Sequence, residues 1–178
     1  MFSIIRITLV FFIILNQIFS ENNEDYIRSI KLNGNESIYD EKILPLLRQK
    51  PPNLLFRNPI FDSRLLKLDA LTLKSFYHSK GFLDVNIEES FEKKNNFIEI
   101  NYKIDEGKRY YLSVVEVFGN NNISNSKISD LLGLKIKEPY NPVFINDNLY
   151  LLENEYHQLG KLFAEILIKD EISDSVRV

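Results

Sequence analysis

Residues 105–120 read DEGKRYYLSVVEVFGN and mark the joint between two copies of one structural unit. The stretch begins with the acidic turn Asp105-Glu106-Gly107, continues through alternating apolar positions and ends on Gly119-Asn120. Alternation with a period of two indicates a half-buried strand, and Gly-Asn favours a turn with positive φ. The same strand and turn occur earlier, at Ile30 to Asn35. The sequence therefore predicts a repeated unit that opens with a strand and a Gly-Asn turn.

Two further matches between the copies support the repeat. Asn58-Pro59-Ile60-Phe61 corresponds to Asn141-Pro142-Val143-Phe144, and Tyr77 to Gly81 corresponds to Tyr156 to Gly160. Three matches in the same order indicate an internal duplication rather than chance similarity.

A short helix is predicted after each Gly-Asn turn. In the first unit Ser37 can cap this helix, with Asp40 at the spacing of a capping box. Pro45 is expected to kink or shorten the helix, because proline lacks a backbone N–H. In the second unit Gly133 is the predicted C-cap.

A longer second helix is predicted in each unit from apolar residues that recur at i, i+3 and i+7. Asp62 is the predicted N-cap in the first unit, and Asn146 or Asp147 in the second. Gly81 and Gly160 are expected to end the two helices. The tyrosines near the helix ends share the apolar face and are interpreted as core residues.

After each of these glycines the pattern returns to strand. In the first unit the polar turn Lys93 to Asn96 leads into a third strand, which predicts an antiparallel hairpin. The element order is β-α-α-β-β, typical of an α+β fold in which a three-stranded mixed sheet packs under two helices. We place the first unit at residues 26–106 and the second at residues 110–178.

The first 20 residues are interpreted as an export signal rather than as part of the fold. Arg6 precedes an apolar run from Ile7 to Leu15, which is too short for the roughly 20 residues of a membrane-spanning helix. Small Ser20 stands before an acidic stretch. We therefore expect a signal peptide at residues 1–20, with an uncleaved anchor as the alternative.

Composition excludes several classes of function. The chain has 178 residues, a net charge of -3 and no cysteine. Nucleic-acid binding normally requires a basic patch, and zinc sites of the Cys-ligated kind, thiol nucleophiles and disulfides require cysteine. The sequence also contains no Gly-rich phosphate loop, Ser-containing nucleophile elbow or HExxH motif. We therefore expect no catalysis, no cofactor, no metal and no nucleic-acid partner.

The repeated motifs resemble the POTRA repeats, the polypeptide-transport-associated repeats of BamA-type outer-membrane assembly proteins. In that family a repeat ends in an acidic-Gly turn and a tyrosine, as at Asp105 to Tyr110. The next repeat begins with a strand that reaches Gly-Asn, and its second helix ends in Tyr-x-x-x-Gly. The resemblance covers residues 26–178. Lys161 departs from it, because the family usually has an aromatic residue there, as at Phe82.

The resemblance implies that more protein follows the second unit. The last predicted strand of that unit holds only Val176 to Val178, so we expect the unit to be incomplete at its C-terminal end. The family normally has further repeats and then a membrane β-barrel, which would connect the chain to the outer membrane.

The same resemblance implies a function for the chain. The repeats would lie at the periplasmic face of the outer membrane of a Gram-negative-type bacterium, receive unfolded β-barrel precursors and dock accessory assembly lipoproteins. Exposed edge strands can bind such clients by adding a strand through backbone hydrogen bonds. By resemblance, the second strand of each unit is the expected edge. The nominated residues are Leu83, Asp84, Val85, Asn86, Ile87 and Glu88 in the first unit, and Phe163, Ala164, Glu165, Ile166, Leu167 and Ile168 in the second.

Three other functions stay open at this point. Two-partner secretion transporters and TamA-like proteins also carry POTRA repeats. A cell-division scaffold like FtsQ carries one such unit, although it normally has only one and needs an uncleaved anchor. A secreted enzyme or ligand-binding protein would require a convergent polar pocket, which no motif indicates.

Overall fold

The computed structural model describes residues 24–55 and 57–178. The predicted signal peptide, residues 1–20, lies outside the described residues. In the part of the chain that is described, no helix is both long and apolar enough to span a membrane.

The first unit contains three strands and two α-helices in the predicted order. They are β1 (Tyr26–Asn33), α1 (Asp40–Ile43), α2 (Ser63–His78), β2 (Asn86–Lys94) and β3 (Phe97–Asp105), and a 3-10 helix at Leu44–Leu46 continues α1. Pro45 lies inside this 3-10 turn, which confirms that proline shortens the first helix.

The sheet of the first unit is mixed, with β3 in the centre. β1 pairs with β3 in parallel and β2 pairs with β3 antiparallel, which gives the order β1-β3-β2. Alternate residues of β3 point towards the helices and are buried against α2. They are Ile98, Ile100, Tyr102 and Ile104.

The second unit repeats this plan with shorter strands. Its elements are β4 (Leu112–Val114), α3 (Asn125–Leu132), α4 (Pro142–Gln158), β5 (Glu171–Ile172) and β6 (Val176–Arg177). The sheet order is β4-β6-β5, again with a parallel and an antiparallel pair. The predicted α+β class with two units of β-α-α-β-β is therefore confirmed.

Helix caps follow the prediction in part. Asp62 caps α2 by accepting a hydrogen bond from Arg64 N, and Gly133 ends α3 in the left-handed conformation, both as predicted. The other two caps were predicted wrongly. Tyr39, not Ser37, precedes α1, and no side chain caps this helix. Asn141 caps α4 by accepting from Phe144 N, so this helix starts before Asn146 and Asp147.

The Gly-Asn turns have the same construction in both units. Asn35 Nδ2 donates to Ile38 O at 2.9 Å and to the carboxylate of Asp40. Asn120 Nδ2 donates to Ile123 O at 2.9 Å and to the amide oxygen of Asn125. In each unit one asparagine therefore connects the end of the first strand to the start of the first helix.

The two turn glycines share a positive φ but differ in their surroundings. Gly34 has a φ of 86° and Gly119 has a φ of 76°. A Cβ added at Gly34 would lie 2.0 Å from the carbonyl oxygen of Ile104, whereas one added at Gly119 would meet nothing within 4 Å. The close approach to β3 therefore exists only in the first unit.

This contrast predicts different costs for the same substitution. We expect Gly119→Ala to lower the free energy of unfolding by about 1–2 kcal/mol, because a Cβ strains the left-handed backbone. Gly34→Ala should cost roughly 1–3 kcal/mol more, because the turn must also move away from β3. Urea denaturation followed by circular dichroism measures both. Equal losses would show that the contact with Ile104 does not constrain the first turn.

Candidate functional site

The exposed edge of the first sheet is the long strand β2. It has nine residues, pairs on one side with β3 and is solvent-accessible over most of its length. The backbone groups on its free side are therefore available to another extended chain, as at any sheet edge.

The inward side chains of β2 include two charges. In an antiparallel pair, directly opposed residues lie on the same face. Glu89 opposes Tyr102, and Lys93 opposes Ile98, so both charges lie on the face that packs under the helices. Inward-pointing charges on an edge strand oppose indiscriminate sheet-to-sheet association. The edge therefore combines free backbone groups with protection against aggregation.

The opposite edge of this sheet is less accessible. Ile27 N donates to Pro59 O at 2.8 Å, and Phe61 N donates to Asp25 O at 2.7 Å. The segment that precedes α2 therefore covers the beginning of β1. Among the described strands of the first unit, β2 offers the longer free edge.

The first nominated segment is split between the edge and the joint. Asn86, Ile87 and Glu88 lie in β2, as expected. Leu83 packs against the second core, and Asp84 accepts a hydrogen bond of 2.6 Å from the Tyr110 hydroxyl. These residues and the buried Val85 are therefore not edge-strand residues, and their nomination as strand was wrong.

A backbone connection explains this difference. Phe82 forms a β-bridge with Arg109, and Tyr110 N donates to Gly81 O at 2.8 Å. Arg109 Nε also donates to Lys80 O at 2.8 Å. The chain after α2 thus pairs with the linker between the units before β2 begins, which holds the second unit against the end of α2.

The second nominated segment, from Phe163 to Ile168, is not a strand. The second strand of this unit is β5, at Glu171–Ile172. A segment is a β-strand only where it pairs with a neighbouring strand. The central strand β6 has two residues, and on the side away from β4 both pair with β5. Residues 163–168 pair with no strand, so their nomination as an edge strand was wrong.

Other candidate chemistry is weak in the described residues. No group of three or more His, Asp or Glu side chains there could hold a metal ion. His78 is half-buried at the end of α2, and burial lowers its pKa. His157, at the same place in the second unit, lies near the end of α4.

The comparisons with known proteins agree with the repeat. The family model described as "POTRA: Surface antigen variable number repeat" matches residues 26–107 and 110–178. The chain belongs to the POTRA family. It is 30% identical over 160 residues to the outer membrane protein assembly factor BamA of Buchnera aphidicola, and 25% identical over 146 residues to BamA of Neorickettsia risticii.

Solved structures show the same fold. POTRA domains 3–5 of Haemophilus influenzae BamA superpose with a TM-score of 0.62 at 14% identity, covering 86% of this chain and 64% of that one. The two curated BamA relatives are much longer than this chain. The matches cover 86% and 79% of this chain but span only 26% and 20% of those proteins.

Glu106 holds the first POTRA unit together and has a role that sequence reasoning missed. It was interpreted only as a turn residue beside Asp105. Its buried carboxylate accepts one bifurcated hydrogen bond from Ser37 N, at 3.1 and 3.0 Å from its two oxygens, and one of 3.1 Å from the Tyr77 hydroxyl. One side chain at the end of β3 therefore fixes both the turn after β1 and the end of α2.

Asp69 is a second buried carboxylate that the pattern did not reveal. It lies on the apolar face of α2, fully buried, and accepts hydrogen bonds from Arg48 N at 2.7 Å and from Gln49 N at 3.1 Å. The signal that the sequence does offer is an acidic residue among the core positions of a helix, because a buried charge requires partners. Its hydrogen-bond donors are backbone groups, which no side-chain pattern identifies, and the Arg48 guanidinium lies 3.9 Å from its carboxylate.

The Tyr77–Glu106 contact predicts how stability depends on pH. Burial, together with the charge of Glu106, raises the pKa of Tyr77 above its ordinary value of 10.0. When folding raises the pKa of a phenol, the phenol stabilises the fold in full at pH values below its pKa in the unfolded chain. This contribution is lost as the pH rises further. Tyr77→Phe should therefore lower the free energy of unfolding at pH 7 by about 1.5–3 kcal/mol, the worth of a hydrogen bond to a charged group.

The difference between wild type and Tyr77→Phe should then shrink as the pH rises above 10. Urea denaturation at a series of pH values measures it. Tyr156→Phe is the matched control, because no carboxylate in the described residues accepts its hydroxyl, and we expect a change within about 0.5 kcal/mol. A pH-independent difference for Tyr77→Phe would contradict the assignment.

Proposed function

We propose that the chain is the periplasmic polypeptide-binding part of a BamA-like outer-membrane protein assembly factor. Residues 26–106 and 110–178 would be its two folding units, and residues 1–20 its export signal. It would engage unfolded β-barrel precursors and accessory lipoproteins at the periplasmic face of the outer membrane, as a binding module rather than an enzyme. The free edge of β2 is the observation that carries this proposal.

Strand addition suits such clients for a physical reason. Backbone groups are the same in every extended chain, so an edge strand binds many sequences with modest affinity. The strands of membrane barrels alternate apolar and polar residues. An edge of nine residues matches the length of roughly 9–11 residues that a transmembrane strand has.

The side chains of β2 add selectivity to this backbone binding. The outward residues include Glu88 and Glu92, and Lys94 follows at the end of the strand. Phe91 is partly exposed on the other face and contacts Phe61, with ring centroids 4.9 Å apart. A client strand with an aromatic or aliphatic residue opposite Phe91 would extend this small apolar cluster.

The proposal predicts that proline in β2 blocks client binding. In an antiparallel ladder, the N–H groups of successive residues point to opposite sides of the strand. One of the two substitutions Glu88→Pro and Glu89→Pro therefore removes an N–H on the free side of β2. This variant should keep the sheet intact and bind a peptide of alternating apolar and polar residues about tenfold more weakly. The other removes a bond to β3 and should instead lower stability.

Nuclear magnetic resonance titration measures both effects, because amide shifts report peptide binding and the integrity of the sheet together. Glu92→Gln is the control, since it leaves the backbone unchanged and should alter the affinity less than about threefold, as for an exposed charge. Unchanged binding in both folded proline variants would exclude β2 as the binding edge.

A further inference from the structure

A shallow groove of about 490 Å³ lies on the outer side of the helices of the first unit. It is lined by the exposed side of α2, by Leu46 and Arg48 at and just after the 3-10 helix, and by Val143 at the start of α4. Leu68 and Leu71 of α2 are 44% and 55% exposed there. Apolar side chains therefore remain in contact with water in this groove.

The segment that forms most of the groove is strongly basic. Residues 42–80 contain eight Lys and Arg residues, all exposed, against two acidic residues. Of these two acids, Asp69 is fully buried and Asp62 is paired with Arg64. The segment thus has a net charge of +6, whereas the net charge of the whole chain is -3. The basic surface is therefore local and opposite in sign to the rest of the chain.

Cations border the apolar lining on both sides of the groove. Lys67 and Lys74 lie four residues before and three residues after Leu71, and residues at these spacings are neighbours on a helix surface. Neither lysine forms an ion pair with another residue that the structure describes. On the side of the 3-10 helix, Arg48 itself lines the groove. The groove thus offers an apolar surface with positive charges at its rim.

The second unit shows that the fold does not require this basic surface. When the Tyr-x-x-x-Gly motifs at the ends of α2 and α4 are aligned, Leu68 corresponds to Asp147 and Lys74 corresponds to Glu153. The same helix face therefore carries acids in the second unit. A pair of helices over a three-stranded sheet accepts either charge at these positions, so the basic and apolar surface of α2 belongs to the first unit alone.

We propose that this groove binds an acidic amphipathic helix of a partner protein. The apolar stripe of that helix would cover Leu46, Leu68 and Leu71. Its Asp and Glu side chains would lie beside Lys67 and Lys74, which have no acidic partner among the described residues. The site is separate from the β2 edge and does not depend on the proposed function of that edge.

The groove favours a helix over an extended chain because it offers side chains rather than free backbone groups. The N–H and C=O groups inside α2 bond to each other, so a strand cannot add here as it can at β2. A helical ligand satisfies its own backbone groups and can place an apolar face in a groove. Opposite charge at the rim then selects and orients the ligand.

The shape of the groove also favours a helix over a lipid surface. Both α2 and Val143 at the start of α4 line it, so the groove is a recess between two elements. A rod-shaped helix fits such a recess better than a flat bilayer does.

The test is a nuclear magnetic resonance titration of the full chain with a blocked helical peptide of about 18 residues, or five turns. The peptide has leucines along one face, glutamates on both sides of them and alanines elsewhere. We expect saturable binding, with amide shifts at Leu68, Leu71, Ser75 and Val143 and none along β2. A peptide with lysines in place of the glutamates should bind at least about tenfold more weakly, because like charges then meet at the rim. Equal binding of the two peptides, or shifts confined to β2, would overturn the proposal.

Reversing the charge of the rim should reverse this preference. The double variant Lys67→Glu with Lys74→Glu should bind the glutamate peptide about tenfold more weakly and the lysine peptide more tightly than the original chain does. The matched control is Lys161→Glu with Lys169→Glu, which makes the same change in net charge away from the groove. This control should alter both affinities less than about threefold, as for distant exposed charges. Equal effects of the two double variants would show that net charge, not the groove, attracts the peptide.

The apolar contact is tested by truncating one exposed leucine. Leu71→Ser should weaken binding of the glutamate peptide about tenfold, because less apolar surface is buried in the complex. Leu162→Ser is the matched control, since Leu162 is 65% exposed and lies outside the groove. It should change the affinity less than about threefold. Equal effects of the two substitutions would contradict the assignment of the groove.

Vesicles of phosphatidylglycerol distinguish a helical partner from a lipid surface. We expect the glutamate peptide, and not the vesicles, to shift the amides of Leu68, Leu71 and Val143. Shifts of these amides by the vesicles without any by the peptide would assign the surface to lipid and overturn the proposal. Binding at the β2 edge is not affected by any of these outcomes, because the proline variants of β2 leave the groove unchanged.

Discussion

β3 lies between β1 and β2, and both backbone ladders of the first sheet pass through it. Its inward side chains supply the centre of the core, and the Glu106 carboxylate directly after it connects the turn beyond β1 to the end of α2. A strand that pairs on both sides also fixes the register of its neighbours. The conformations of β1, β2 and α2 in the first unit thus depend on one central segment.

The second unit has the same sheet order around its own central strand. That strand, β6, has two residues and pairs with β4 and β5 over a short length. Residues 164–170 form no strand. The helices α3 and α4 pack on each other and carry their own caps at Ser124 and Asn141.

Much of this fold could be predicted from the sequence because it rests on local signals. Alternating apolar residues located β1 and β3, Gly133 located the end of α3, and the shared motifs located the repeat. The contacts that failed prediction are non-local. Ser37 is a residue type that favours helix caps, but α1 begins only at Asp40, and the Ser37 N–H donates to Glu106, which is distant in sequence. Leu83 and Asp84 fit a strand pattern, yet the linker between the units competes for them through Tyr110 and Arg109. For the candidate site, the resemblance located the second strand of the first unit but not the contacts of Leu83 and Asp84 with the second unit.

A client on the β2 edge forms one ladder and leaves most of its side chains in water, so its affinity rests mainly on backbone hydrogen bonds, each worth roughly 0.5–1.5 kcal/mol net. The edge should therefore bind many sequences weakly. A fold built around a central strand offers this mode of binding, because its outer strand is open to any extended chain.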